Sequence, residues 1–379
     1  MATEPQLRIG QRIRQFRKRL GINQAELAER LGVNSAETIS QIERGGRDLK
    51  AWELSKLARI LLVEMPDLLE PETDPISPVL WRAEHGMGYK KLEAAFLKRC
   101  HQYAFLESVT GKESHDSFPQ KAVDPENLTF NQVERLAEEV ARQFGLGTKP
   151  AAVLEGILED TYGVKIWYAP MEEGSAASVL GPFGPAILMN SNEAPWRRNY
   201  NFAHEVFHLI TWKSIPPDRL SGKPQLRDKI ERFANSFASH LLLPAESLLG
   251  ELRTYITDNQ LSYGDLIDLA RSFHVSTEAL AYRLLTLKQL KRQTVDKLLA
   301  DPAFRGLDKC SMAACWRPVP PLIPERFVRL GFLAYTRGKI SKAKFASLLD
   351  ASIADLNHLL REYGLGDDKA KIETQVRVA

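Results

Sequence analysis

The stretch His204-Glu205-Val206-Phe207-His208 constrains this chain more than any other feature of its sequence. Residues four apart share one face of a helix, so the two imidazoles can address a single metal ion. Glu205 stands one step round from the first histidine, where its carboxylate can hold a water on that metal. The pattern is H-E-x-x-H, whose chemistry is zinc hydrolysis of an amide bond. A short pattern also arises by chance, in a helix with two ordinary histidines. Three observations set this one apart. It lies in a mainly apolar helix, expected over Phe202–Ile210. The chain has 8 histidines, and two of them fall here at the required spacing. A third ligand is on offer downstream.

That ligand lies in the run from Glu231 to Pro244. Ala234, Phe237, Ala238 and Leu241 recur at helical spacing, which predicts an amphipathic helix with a buried face. Glu231 precedes Ala234 and Asn235 by one turn and sits near that face. A carboxylate brought by this second helix to two histidines makes a His-His-Glu site, with the fourth position left to water. His240, beside the apolar Leu241-Leu242-Leu243, is the rival ligand.

The runs NYNFAHEVFHL and ERFANSFASHLLLP resemble the ImmA/IrrE metallopeptidases, whose domain pairs H-E-x-x-H with a later E-x-x-A-N-x-F-A-x-x-L-L-x-P helix. The likeness spans residues 150–290, and Leu266–Leu284 resembles that family's C-terminal helical pair. It implies His204, His208 and Glu231 as ligands of Zn²⁺ and Glu205 as general base. Glu231 matches the family position, and His240 then reads as a packed histidine. It implies a protein substrate that is itself a small helix-turn-helix repressor, cut in a stress or prophage response. Phe207 stands where the family more often has glycine. Imidazole and carboxylate also accept Mn²⁺ or Fe²⁺.

The amino-terminal end has a different character. Residues 6–20 carry six basic side chains and no acidic one, with Leu7, Ile9, Ile13, Phe16 and Leu20 as an apolar stripe. A helix over Gln24–Leu31 follows, with Asn23 as its N-cap and Gly32 as its stop. A third short helix is expected over 36–44, and further helices over 51–62 and 66–69. Short helix, glycine turn, short helix is the helix-turn-helix arrangement. The run NQAELAERLGV…TISQIERGGR resembles the XRE-type helix-turn-helix of phage repressors. This likeness implies that helix 36–44 enters the major groove of a double-stranded DNA operator. Ser35, Glu37, Thr38 and Gln41 would face base edges there, with Arg44 at the helix end. Gln24 and the arginines of the first helix would hold phosphates. Five residues separate Gly32-Val33 from Ile39-Ser40 where the family usually has four, which lengthens the turn or the start of the reading helix. Such units generally bind as dimers on two half-sites, so a homodimer is expected.

Length and composition bound the rest. At 379 residues the chain holds more than one domain, and 44% hydrophobic with 26% charged residues is an ordinary globular balance. No apolar run approaches the ~20 residues of a membrane span, and the amino terminus lacks a signal peptide's apolar core. No membrane partner and a cytoplasmic location are therefore expected. The odd count of 3 cysteines argues against a disulfide framework, and Cys310 and Cys315 read as ordinary thiols. A net charge of +3 confines nucleic-acid affinity to the first domain.

The expected fold is mainly α with a small β-sheet (α+β). It comprises an N-terminal helix-turn-helix bundle over 1–70, a linker and connecting helix over 71–130, a zincin-like metallopeptidase domain over 131–290 and a helical C-terminal domain over 291–379. Pro71, Pro75 and Pro78 mark the linker, and a helix is expected over Gly88–Val109. Helices are expected over 131–144 and 150–162, strands over 163–169 and 186–190, and a loop over Gly174–Gly184 bordering the cleft. An edge strand there would bind substrate as an added strand. Helices over 325–335, 340–349 and 352–363 suggest packing or dimerisation more than a second DNA-reading motif. Two functions stay open. One is a DNA-binding transcriptional regulator carrying a zinc endopeptidase. The other is a repressor or antitoxin-like regulator whose metal domain is a sensor or scaffold.

Overall fold

A computed structural model describes residues 4–69, 78–81, 89–113, 118–256, 260–314 and 320–365. Pro71, Pro75 and Cys315 lie outside the described residues. The chain divides into two units, residues 1–77 with 83–105, and residues 78–82 with 106–379.

The first unit is built from α1 (Glu4–Arg19), α2 (Gln24–Leu31), α3 (Ala36–Glu43), α4 (Ala51–Ile60), α5 (Met65–Leu69) and the first part of α6 (Tyr89–Thr110). Its local signals work as written in the sequence. The Asn23 side chain accepts from Glu26 N–H and Glu26 reaches back to the cap, while Gly32 ends α2 in the left-handed region at φ 82°. Ser35 caps α3, so the extra residue falls in the turn between Gly32 and Ser35. Ile13, Leu27, Leu31, Ile39, Ile42 and Leu57 form the core. Beneath it, the Arg17 guanidinium grips Glu43 through Nε at 2.6 Å and Nη2 at 3.2 Å. Gly10 lets α1 reach the end of α3: a Cβ there would stand 2.4 Å from the Ile42 carbonyl oxygen.

The second unit carries a four-stranded sheet in the order β1-β3-β4-β2, from β1 (Leu80–Trp81), β2 (Lys165–Ala169), β3 (Ala176–Gly181) and β4 (Gly184–Asn190). β2 and β4 are parallel; β3 is antiparallel to β4 and to β1. Around it stand α7 (Phe130–Gln143), the short α8 (Leu154–Gly156), α9 (Pro195–Ile210), α10 (Pro217–Leu220), α11 (Pro224–Leu242), α12 (Ala245–Tyr255), α13 (Tyr263–Ser272) and α14 (Thr277–Thr286). They are followed by α15 (Arg292–Ala300), α16 (Pro302–Ala314), α17 (Glu325–Thr336), α18 (Lys342–Leu348) and α19 (Leu356–Glu362). α9 packs against β3 and β4 on one side and α11 on the other, and α11 packs in turn on α7. Phe327 of α17 meets Trp167 of β2 edge to face at 5.0 Å. Glu107, at the end of α6, bridges Lys165 at 2.8 Å and Arg326 at 2.6 Å, a buried ionic link between sheet and C-terminal helices.

Two expectations need correction. Residues 174–184 are not a loop: 176–181 form β3, joined to β4 by a tight turn that Gly184 closes at φ 90°. The segment is buried at Ala176–Val179, so it lacks the alternation that marks a half-exposed strand, and the glycines at its ends belong to a hairpin. The expected helix over 150–162 breaks into a 3₁₀ turn at Pro150–Ala152, the single turn α8 and a π turn at Ile157–Thr161. Gly156 weakens a continuous ladder there, whereas Pro150, at the first position, removes no bond.

Gly10→Ala forces a methyl group onto backbone that cannot yield as a side chain would. The expected cost is about 1–3 kcal/mol, seen in calorimetry of the full chain as a lower melting temperature for the first unit. An unshifted transition would contradict the close approach.

Candidate metal centre

α9 opens with Pro195 at its first position, where a missing N–H costs nothing. From Asn201 to Ile210 every residue is buried, because sheet and α11 enclose the helix. His204 and His208 are 0% and 4% exposed, and their Nε2 atoms lie 3.1 Å apart. Glu231, from α11, places Oε2 3.2 Å from His204 Nε2 and Oε1 3.6 Å from His208 Nε2. The donor atoms of these three residues all lie within 4.8 Å of one another.

The arrangement fits a divalent cation. Glu231 Oε1 is buried and has no hydrogen-bond partner among the described residues. A buried carboxylate oxygen in that position is costly unless something cationic satisfies it. Two imidazoles and one carboxylate are three ligands of the kind zinc takes, and leave a fourth position open. The tautomer is also set. His204 Nδ1 lies 3.1 Å from Asn235 Oδ1. An amide oxygen only accepts, so His204 carries its proton on Nδ1 and turns the Nε2 lone pair toward Glu231. Asn235 is one turn beyond Glu231 on α11, and its own carbonyl accepts from the Tyr200 hydroxyl at 2.7 Å. Tyr200 is one turn before His204 on α9. The two helices thus hold each other at the level of the site.

Glu205 is buried at 1% exposure, one residue past His204, and is not among the three converging side chains. Phe207 turns to α11 and packs on Phe237 at 5.6 Å between centroids, filling the helix interface. His240 takes no part in the cluster: its Nδ1 lies 2.7 Å from the Ser236 carbonyl and its Nε2 3.3 Å from Glu134 Oε1. Burial pushes the His240 imidazole below its ordinary value of 6.5, with Arg283 adding to the effect against Glu134 and Glu138. A cavity of about 780 Å³ is bordered by Ser175, Glu193, Tyr200, Asn201, Asn235 and His240; it reaches Asn235, the neighbour of His204, and is not lined by the three converging side chains. Asn235 is the functional residue the sequence reading passed over. Its signal was spacing alone, i+4 from Glu231.

In the first unit, Ser35 and Thr38 are tied to each other at the start of α3. Arg44 Nη2 bonds Glu37 at 3.0 Å and Ser40 Oγ at 2.8 Å on the exposed surface. Gln24 donates its amide to Glu43 at 2.8 Å and so belongs to the Arg17 network. Gln41 is exposed on α3. Arg14, Lys18, Gln24, Ser40 and Arg44 border a hollow of about 520 Å³.

Two stretches of the chain match known families. Residues 159–285 match the family model of the IrrE N-terminal-like domain, and residues 13–68 match that of the helix-turn-helix. Over 151 residues the chain is 29% identical to the "Radiation response metalloprotease IrrE" of Deinococcus deserti, a match covering 38% of this chain and 51% of that protein. The chain spans about half the length of that curated relative. A solved "Mycobacterium tuberculosis transcriptional regulator" aligns at 18% identity over 52% of this chain and 54% of its own, with a TM-score of 0.32. The chain therefore joins an XRE-like helix-turn-helix domain to a domain of the IrrE metallopeptidase type. Among the described residues no helix is long and apolar enough to cross a membrane.

Two outcomes follow. Asn235→Ala should lower Zn²⁺ affinity by about 10–100-fold, measured by competition with a chromogenic chelator; equal affinity would show that the His204 tautomer is set elsewhere. The lowered His240 value has a definite sign. As pH falls below 6.5 the unfolded chain binds the proton first, so stability is fullest above 6.5 and is lost as pH drops through the folded value. Denaturant unfolding should show that acid-side loss in the wild type and a flatter profile in His240→Gln.

Proposed function

We propose that this chain is a DNA-binding transcriptional regulator whose second unit is a zinc-dependent endopeptidase, cutting a small helix-turn-helix repressor protein in a stress or prophage response. The observation that carries the reading is the convergence of His204, His208 and Glu231 from two helices, with His204 held in one tautomer by Asn235. A structural zinc site is closed by four protein ligands, whereas this one offers three and lies beside a cavity.

His204 and His208 through Nε2, and Glu231 through its carboxylate, would hold the metal. Zn²⁺ bound there supplies Lewis acidity, lowering the pKa of water and polarising a peptide carbonyl. Glu205 is the general base: its carboxylate takes the proton from the attacking water and returns it to the leaving nitrogen. Burial of Glu205 and both histidines keeps bulk water from competing for those protons. Tyr200 and Asn201 stand on the cavity side of α9, where a peptide would lie. In the first unit, α3 presents Ser35, Glu37, Thr38, Gln41 and Arg44 to an operator, with the basic hollow around Arg14 and Lys18 taking phosphates. Binding as a homodimer would span two half-sites, in the cytoplasm, and place the peptidase beside repressors on the same DNA.

Glu205→Gln should reduce cutting of a repressor encoded beside this gene by about 10²–10⁴-fold while bound zinc, counted by atomic absorption, stays the same. Wild-type protein with Zn²⁺ that leaves every neighbouring repressor whole would overturn the peptidase. If promoter regulation were also indifferent to Glu205→Gln, the metal domain would be a sensor or scaffold. Sedimentation equilibrium at micromolar concentration should return a dimer; monomer alone would contradict the operator geometry.

A further inference from the structure

β3 is the outer full-length strand of the sheet, on the side away from β2. Its backbone edge is where an extended chain can add by main-chain hydrogen bonds. α9 packs on β3, and Ser175, just before the strand, borders the cavity together with Asn235 and Tyr200. Ser175 also donates to Glu193 at 2.7 Å, and Glu193 is bonded by Asn201, three residues before His204.

The edge is already taken by this chain. Leu80 pairs with Ser178 and Trp81 with Ala177, antiparallel. The segment comes from between the two parts of the first unit, yet it belongs to the second. A second hold comes from α11. Arg227 Nη2 donates to the Trp81 carbonyl at 2.9 Å, and Arg227 lies one helical turn before Glu231. Residues 80–81 thus bridge the sheet edge and the helix that brings the carboxylate. The direction is telling. From Leu80 to Trp81 the chain runs from Ser178 toward Ala177, that is, toward Ser175 and the cavity. Among the described residues the pairing takes two positions, Ala177 and Ser178, of the six-residue strand.

We propose that the outer edge of β3 is the seat of an extended peptide substrate, and that Leu80-Trp81 occupies this seat intramolecularly and must leave before a substrate strand can add. This rests on the peptidase reading for the word substrate, but not for the exchange of one strand by another. The resident segment has the advantage of being tethered, with an effective concentration on the order of millimolar.

The test measures strand exchange without hydrolysis. The probe is a fluorescein-labelled peptide copying residues 77–84, Ser-Pro-Val-Leu-Trp-Arg-Ala-Glu, added to the full-length chain after chelator treatment. In Leu80→Pro/Trp81→Pro the resident strand loses both amide donors. That variant should bind the peptide at least about tenfold more tightly than wild type, as expected on removing a tethered competitor. Its amides over 176–181 should exchange faster with deuterium and slow again when peptide is added. Where the proline variant fails to fold, Leu80→Cys/Ser178→Cys carries the test: directly opposed residues are close enough to link. Peptide binding should vanish in the oxidised form and return to the wild-type level on reduction. Equal affinity in wild type and proline variant, or equal affinity in both redox states of the cysteine pair, overturns the proposal. Peptide exchange as expected while every neighbouring repressor stays whole with Zn²⁺ would overturn the peptidase and leave the strand exchange standing.

Discussion

The packing of α9 against α11 is the constraint on which the candidate site depends. Each helix alone offers only one element of the chemistry: two imidazoles on one, a carboxylate and an amide on the other. What joins them is apolar, through Phe207 on Phe237 and the buried Ala203, Ala234 and Ala238. Small residues bring the axes close, and the aromatic pair fills what remains. Tyr200 to Asn235 and Asn235 to His204 then fix the rotation of one helix against the other. A buried polar link of this kind rewards only one register, so the geometry of the three donors follows from the core beneath them.

How much of this was legible in the sequence depends on the range of the interaction. His204 and His208 could be placed because their relation is helical and local. Glu231 could be placed because the apolar repeat from Ala234 to Leu241 fixes which face is buried. Asn23, Gly32 and Ser35 announced the ends of α2 and α3 for the same reason. Asn235 was passed over because asparagine in mid-helix has no single meaning until its partner is known. The Gln24 amide also bonds Glu43, nineteen residues away. Nothing in a local pattern reveals that pairing.

The sheet was the least legible part. β2 and β4 stood out as apolar runs, but β3 did not, since buried Ala176, Ala177 and Ser178 look like any small-residue loop. β1 has two described residues and pairs with β3. Strand identity is a property of a pair, and a two-residue strand carries no periodicity to detect.

This difference in legibility has a physical counterpart. The catalytic candidates sit on long helices whose positions are set by extensive burial, which suits donors that must converge within a few ångströms. β1 pairs with β3 at its two described residues, and Trp81 takes a hydrogen bond from Arg227. A site that must keep its donors fixed and still admit a chain from outside needs both kinds of attachment. The rigid kind is found between α9 and α11; under the strand-exchange proposal the edge of β3 supplies the other. Arg227 and Glu231, one turn apart on α11, put the two side by side: the same helix that brings a carboxylate to the histidines also holds the strand lying where a peptide would lie.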